Sequence, residues 1–265
     1  MKESRFNQKV YWVIGASSGI GKQLAISLSQ FPCKLIISAR NESALIDLQN
    51  EYQKEDSITV LPMDLSASQE ALTDISHQAY QIHQQLDGIF LVGGISQRAS
   101  FEEMALSTFE KIMQVNFWGA LHITKAVLPY LKKSDDPMIV CINSVQGKMG
   151  IPDRTAYAAS KHALLGFMDS LRAELHPFGI QITNILPGYV KTDLAKNALQ
   201  ADGSQQGQLD EGKGGITVEK AALDILHYAS IGKSEAVIGR PREQAAVYIK
   251  RFFPKLLEKL VRKKS

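Results

Sequence analysis

The segment that most restricts the fold lies near the amino terminus, where Val10-Tyr11-Trp12-Val13-Ile14 runs into Gly15-Ala16-Ser17-Ser18-Gly19-Ile20-Gly21 and then into a helix-length amphipathic stretch. An unbroken apolar run of this length, stopped by glycine and followed by a 3.6-residue period, reads as a buried strand turning directly into a helix. Gly15, Gly19 and Gly21 permit a tight turn. They also let an anion approach the free N–H groups at the helix start, where the dipole favours negative charge. The spacing is Gly-x-x-x-Gly-x-Gly rather than the commoner G-x-G-x-x-G. The same residues satisfy G-x-S-x-G, the nucleophile elbow of hydrolases, with Ser17 as nucleophile. That alternative gives Gly21 no role and puts the elbow on the first strand with nothing before it.

Short apolar runs then alternate with amphipathic segments along the chain, the pattern of repeated βα units around a parallel sheet. Strands are expected at residues 10–14, 34–38, 58–62, 88–92, 138–142, 181–186 and 236–238, and helices near 19–30, 42–54, 69–85, 108–131, 155–176 and 218–229. Ser107 and Glu110 have the spacing of a capping box, and Thr217 can cap the helix after it. With 265 residues, 45% of them hydrophobic, the chain can bury one substantial core. The expected fold is a single-domain α/β, Rossmann-type doubly wound parallel sheet of about seven strands with helices on both faces. Residues 196–215 are irregular and rich in Gly, Gln, Asp and Ser. A loop that long, after a strand's carboxyl end, suits a lid over a ligand.

The formal charge of +3 is unevenly spread: Lys250, Arg251, Lys255, Lys259, Arg262, Lys263 and Lys264 face Glu258 alone, so the body is mildly acidic. Residues 243–265 therefore read as a basic amphipathic tail on a catalytic domain of residues 1–242. Its apolar positions Val247, Ile249, Phe252, Phe253, Leu256, Leu257, Leu260 and Val261 approximate one helical stripe interrupted by Pro254. Such a tail either packs on the body or a neighbouring subunit, or lies on an anionic membrane. Cys33 and Cys141 sit in apolar strand runs and read as buried structural thiols. No apolar stretch approaches the ~18 residues needed to span a bilayer, and residues 1–9 lack the hydrophobic region of a signal peptide. A cytoplasmic protein, peripherally membrane-associated at most, is the expectation.

The chemistry is carried by Asn116, Ser144, Tyr157 and Lys161. A phenol ordinarily titrates near ~10, too high to exchange a proton readily at neutral pH, so a catalytic tyrosine needs a cation beside it. Lys161, four residues after Tyr157, shares its helix face and is placed to be that cation. At the end of the second strand a free ribose 2′-hydroxyl wants a carboxylate and a 2′-phosphate wants a cation. Ala39-Arg40 supplies the cation, with a planar fork suited to phosphate. The reading is therefore NADP(H). Asp64, in Met63-Asp64-Leu65, is a candidate for the adenine amino group; alternatively it only caps the next helix.

These motifs, in this order, resemble a short-chain dehydrogenase/reductase of the single-domain type, over nearly the whole chain to about Gly239. The resemblance implies that Tyr157 is the proton donor, Lys161 lowers its pKa and bonds the nicotinamide ribose, Ser144 polarises the carbonyl, and Asn116 holds a water in a proton relay. It also implies cofactor contacts from Gly15, Ser17, Ser18, Gly19, Ile20, Gly21, Arg40, Asp64, Leu65, Gly93, Val190 and Thr192. Where the family usually has Asn-Asn-Ala-Gly, this chain has Leu91-Val92-Gly93-Gly94. That departure is the one argument for a non-catalytic NADP-binding or interaction protein. Ser96-Gln97-Arg98, residues 197–204 and residues 246–254 resemble the dehydrogenase/reductase member seven subgroup, whose members are associated with membranes and with lipophilic carbonyls, including acyl dihydroxyacetone phosphates. Arg98, Gln146 and Arg154 are the candidate substrate residues, the two arginines for an anionic head group. The resemblance further implies a homo-oligomer acting on a small carbonyl or alcohol, with no metal at the site and no nucleic acid partner.

Overall fold

The computed structural model describes residues 1–53, 57–207 and 214–262. Seven strands, β1 (Val10–Ile14), β2 (Lys34–Ser38), β3 (Ile58–Val60), β4 (Gly88–Leu91), β5 (Met138–Ile142), β6 (Gln181–Pro187) and β7 (Glu235–Ile238), form one sheet in the order β3-β2-β1-β4-β5-β6-β7. All pairings are parallel. Between the strands run α1 (Gly19–Leu28), α2 (Glu42–Tyr52), α3 (Gln69–His83), α4 (Leu106–Met113), α5 (Gly119–Leu131), α6 (Thr155–Leu175) and α7 (Val218–Ser230). Helices α8 (Pro241–Phe252) and α9 (Pro254–Arg262) close the chain.

Because successive strand residues face opposite sides, the sheet is the floor of two cores. Tyr11, Val13, Leu35 and Ile37 pack with Leu24 and Leu28 of α1, Leu45 and Leu48 of α2 and Ile225 of α7. Trp12, Ile14, Ile36 and Ile139 pack on the other face with Leu72 of α3, Ile123 and Val127 of α5 and Leu164 and Met168 of α6. Cys33 and Cys141 are buried in these cores as free thiols, and burial pushes each up to about 12. The chain winds from β1 to β2 and β3 on one side and restarts at β4 on the other. This places a crevice at the carboxyl ends of β1 and β4, the switch point where open α/β sheets hold ligands.

Two expectations need correction. The helix expected over 108–131 is α4, a π-helical turn at Gln114–Trp118, and α5. It starts earlier, behind Ala105, so Ser107 lies inside the first turn and caps nothing. The bond from Ala105 N–H to the Ala201 carbonyl, 3.0 Å, sets that entry point against the local capping signal. Thr217 does cap α7, its Oγ1 accepting from Lys220 N at 3.3 Å. The tail is the second correction. Its break falls at Phe253, with Pro254 opening α9, a position where a missing N–H costs nothing. The expected single stripe thereby splits: Val247, Ile249, Leu257 and Val261 pack against Val145, Met149, Leu165 and Leu186, while Phe252, Phe253 and Leu256 are exposed. Lys263 and Lys264 lie outside the described residues.

Candidate active site

A cavity of about 1130 Å³ occupies the crevice. The glycine turn forms one end. Gly15 has φ +94°, and a Cβ there would stand 2.6 Å from the Gly93 nitrogen; one on Gly21 would stand 2.0 Å from the Gly15 oxygen. These positions require glycine. Ser18 precedes α1 without a side-chain cap, leaving the helix N-terminus with unmatched donors bordered by Ser17, Gly19 and Ile20. Leu65 packs beside Gly93, where a Cβ would meet it at 2.5 Å. Arg40 lines the cavity, is exposed, and has no carboxylate partner among the described residues. Asp64 also lines it; its Oδ1 accepts from the N–H and hydroxyl of Ser66, both at 2.8 Å, while Ser68 caps α3. Asp64 thus fixes a turn and does not cap the helix. Val190 and Thr192 close this end, the Thr192 methyl facing Gly19. The cradle therefore fits a dinucleotide.

Ser144 follows β5, and α6 carries Tyr157 and Lys161 one turn apart into the same cavity. The Lys161 ammonium donates to the Ile142 carbonyl at 3.2 Å and stands 5.8 Å from the Tyr157 ring centre. Ser144 Oγ accepts from Gln146 N at 3.1 Å, which leaves the hydroxyl proton to donate. Asn116 sits in the π-turn but does not line the cavity. Its Oδ1 accepts from Ile95 N at 2.8 Å, and its Nδ2 donates to Ile95 O at 2.9 Å and to Ser160 Oγ at 3.0 Å. The structure thus gathers three of the four residues at the surface of the site and puts the fourth behind it. Among the described residues no histidine lines the cavity, which gives Ser17 no imidazole base among them.

At the other end Arg98, Gln146 and Arg154 line the cavity with Ile151 and Pro152. Arg154 Nη1, Asn143 Nδ2 and Gln146 Oε1 are buried without a hydrogen-bond partner among the described residues. Burial, and then the neighbouring Arg98 guanidinium, push Arg154 down to about 10 against the opposing pull of Tyr157 and Asp153. Two contributors escape a reading of the sequence. One is the roof, where Ile249, Leu257, Leu260 and Val261 of the tail face into the cavity; the apolar stripe was visible, its target was not. The other is Gln97, fully buried, whose Oε1 accepts from the Tyr157 backbone N–H at 3.0 Å. A lone glutamine in a loop carries no local signal for that.

Residues 9–203 match the family model described as short chain dehydrogenase. The chain is 35% identical over 254 residues to the dehydrogenase/reductase SDR family protein 7-like of Drosophila melanogaster, covering 94% of this chain and 78% of that protein. It is 34% identical over 258 residues to the dehydrogenase/reductase SDR family member 7B of Bos taurus, covering 94% and 79%. Among solved structures, a short chain dehydrogenase from Burkholderia cenocepacia in complex with NADP superposes with a TM-score of 0.80 at 20% identity, covering 97% of this chain and 98% of that one. One from Burkholderia phymatum in complex with NAD superposes with a TM-score of 0.83 at 19% identity, covering 95% of each. No described helix is long and apolar enough to cross a membrane. With its seven-stranded parallel sheet and its relatives of the member seven subgroup, the chain belongs to the short-chain dehydrogenase/reductase family of nicotinamide-dependent oxidoreductases.

Proposed function

We propose that the protein is an NADPH-dependent reductase of a carbonyl compound, reversible as an alcohol dehydrogenase. The observation that carries the reading is the convergence of Ser144, Tyr157 and Lys161 on a cavity whose far end is the glycine cradle. When bound, the reduced nicotinamide supplies a hydride. The Tyr157 hydroxyl gives its proton to the carbonyl oxygen as general acid. Ser144 donates a hydrogen bond to the same oxygen, favouring the charge that develops there. Lys161 would hold the ribose hydroxyls of a bound cofactor and serve as countercharge to the tyrosine, and Asn116 fixes the Ile95 backbone behind them. Arg40, in a position without a competing carboxylate, favours a 2′-phosphate and hence NADP(H).

The substrate class in this reading is a lipophilic carbonyl with an anionic group, such as an acyl dihydroxyacetone phosphate. Arg98 and the unpartnered Nη1 of Arg154 suit the anion, and the roof of Leu257, Leu260 and Val261 suits the apolar part. The protein acts in this reading as a cytoplasmic homo-oligomer of a catalytic domain, residues 1–242, and a tail, residues 243–265, that touches anionic membrane. A screen of ketones and aldehydes followed by NADPH absorbance tests the core of it. Cofactor-dependent turnover is expected; inactivity on every carbonyl despite tight NADPH binding would return the protein to the non-catalytic class.

A further inference from the structure

We infer that Gln97 is a positioning residue for Tyr157, a side-chain clamp that fixes the first turn of α6 to the loop after β4 and, through it, to the segment around Leu199. The need arises at the helix start. The first N–H groups of α6 have no partner within the helix, and Arg154 at the cap position supplies no side-chain acceptor. The Tyr157 N–H is among those orphans. Gln97 reaches it across sixty positions of sequence, Oε1 accepting at 3.0 Å, while Nε2 donates to Thr155 Oγ1 at 3.3 Å. One amide thus holds two residues of the turn that presents the phenol.

The clamp is itself anchored. Gln97 pairs with Leu199 as a parallel bridge; Leu199 N donates to Ser96 O, and Arg98 N to Leu199 O, both at 2.8 Å. Upstream, Asn116 grips both backbone groups of Ile95. Leu194, Ala195 and Asn197, which lead into Leu199, line the cavity. A substrate that orders this segment therefore steadies the Tyr157 turn through Gln97. The same bonds stiffen a loop whose preceding residues, Leu91-Val92-Gly93-Gly94, carry no polar side chains. Gln97 is buried and does not line the cavity, so it acts through Tyr157 rather than on a ligand.

This inference rests on Tyr157 as the proton donor, and its test has one arm that does not. Gln97→Met keeps length and removes the amide's bonds to Tyr157 and Thr155 together with its longer one from Nε2 to the Ala99 carbonyl, 3.5 Å. Expected are a fall in kcat on the order of 10²-fold, the scale for misplacing a reacting group, and an unchanged KM for NADPH. Gln97→Glu keeps an acceptor at the same reach, beside a helix N-terminus that favours it, and is expected to restore most of kcat. Hydrogen exchange reads the clamp directly: the Tyr157 amide should exchange at least ~10-fold faster in Gln97→Met, with β1 amides unaltered, as for a local opening. Should the Met variant not fold, Gln97→Asn, one methylene too short, takes its place. Wild-type kcat with unaltered Tyr157 exchange in a folded Met or Asn variant overturns the inference. So does a Glu variant as impaired as Met, or a loss of NADPH affinity in step with kcat. A wild-type protein that reduces no carbonyl counts against the reductase reading alone, because exchange still decides the clamp.

Discussion

The Lys161 ammonium stands 5.8 Å from the centre of the Tyr157 ring and is tethered at 3.2 Å to the carbonyl of Ile142, the last residue of β5. The strand end thus holds the cation against the phenol. Tyr157→Phe removes only the hydroxyl. It is expected to keep NADPH binding and to lose at least ~100-fold in kcat, the scale for a general acid. Fluorescence titration of NADPH alongside turnover checks both halves, and near wild-type reduction would sink the mechanism.

Cofactor choice is placed on Arg40, exposed at the cavity edge without a carboxylate partner among the described residues. Arg40→Asp exchanges a charge-assisted contact for repulsion. The KM for NADPH should rise by an order of magnitude or more, while that for NADH changes little. An unmodified enzyme that already prefers NADH contradicts the assignment.

Arg154 supplies a substrate prediction. Its buried Nη1 has no partner among the described residues, and although burial and the neighbouring Arg98 push its pKa down, a guanidinium stays charged across the working pH range. A preference for an acyl dihydroxyacetone phosphate over its dephosphorylated analogue should therefore persist from neutral to alkaline pH without a fall. Arg154→Gln should abolish the preference by raising KM for the phosphorylated compound at least ~10-fold, the scale of a charged hydrogen bond. Equal kcat/KM on both compounds in the wild type would leave the arginines without this role.

The two faces of the tail can be separated. Leu257 is 6% exposed among Val145, Met149, Leu165 and Leu186, so Leu257→Ala should cost about 2 kcal/mol of stability. Phe252 and Phe253 are 67% and 64% exposed and lie near Lys250, Arg251 and Lys255 in sequence. The double variant Phe252→Ser/Phe253→Ser should leave the unfolding midpoint unaltered but remove binding to anionic vesicles. That binding should weaken with salt, since surface-potential attraction is screened. If the intact protein ignores vesicles, or the double variant changes oligomeric state, the exposed face serves another protein surface.

The sequence by itself determined the features that depend on neighbours along the chain. β1, β2 and β5 lie where continuous apolar runs place them, and the glycine turn and the four-residue step from Tyr157 to Lys161 need only local geometry. Tertiary structure decided what depends on distant partners. The capping signal at Ser107 yielded to the bond between Ala105 and Ala201. Asn116, aligned with the site by motif, came to lie behind it because its amide is consumed by Ile95 and Ser160. The tail's stripe divided into a roof and an exposed face because a proline break redirects a helix, and hydropathy cannot say toward what. Gln97 meets Tyr157 only once the fold brings the loop after β4 to the first turn of α6. Periodicity records which residues leave water; which partner each buried polar group finds is settled only when the sheet order brings remote segments together.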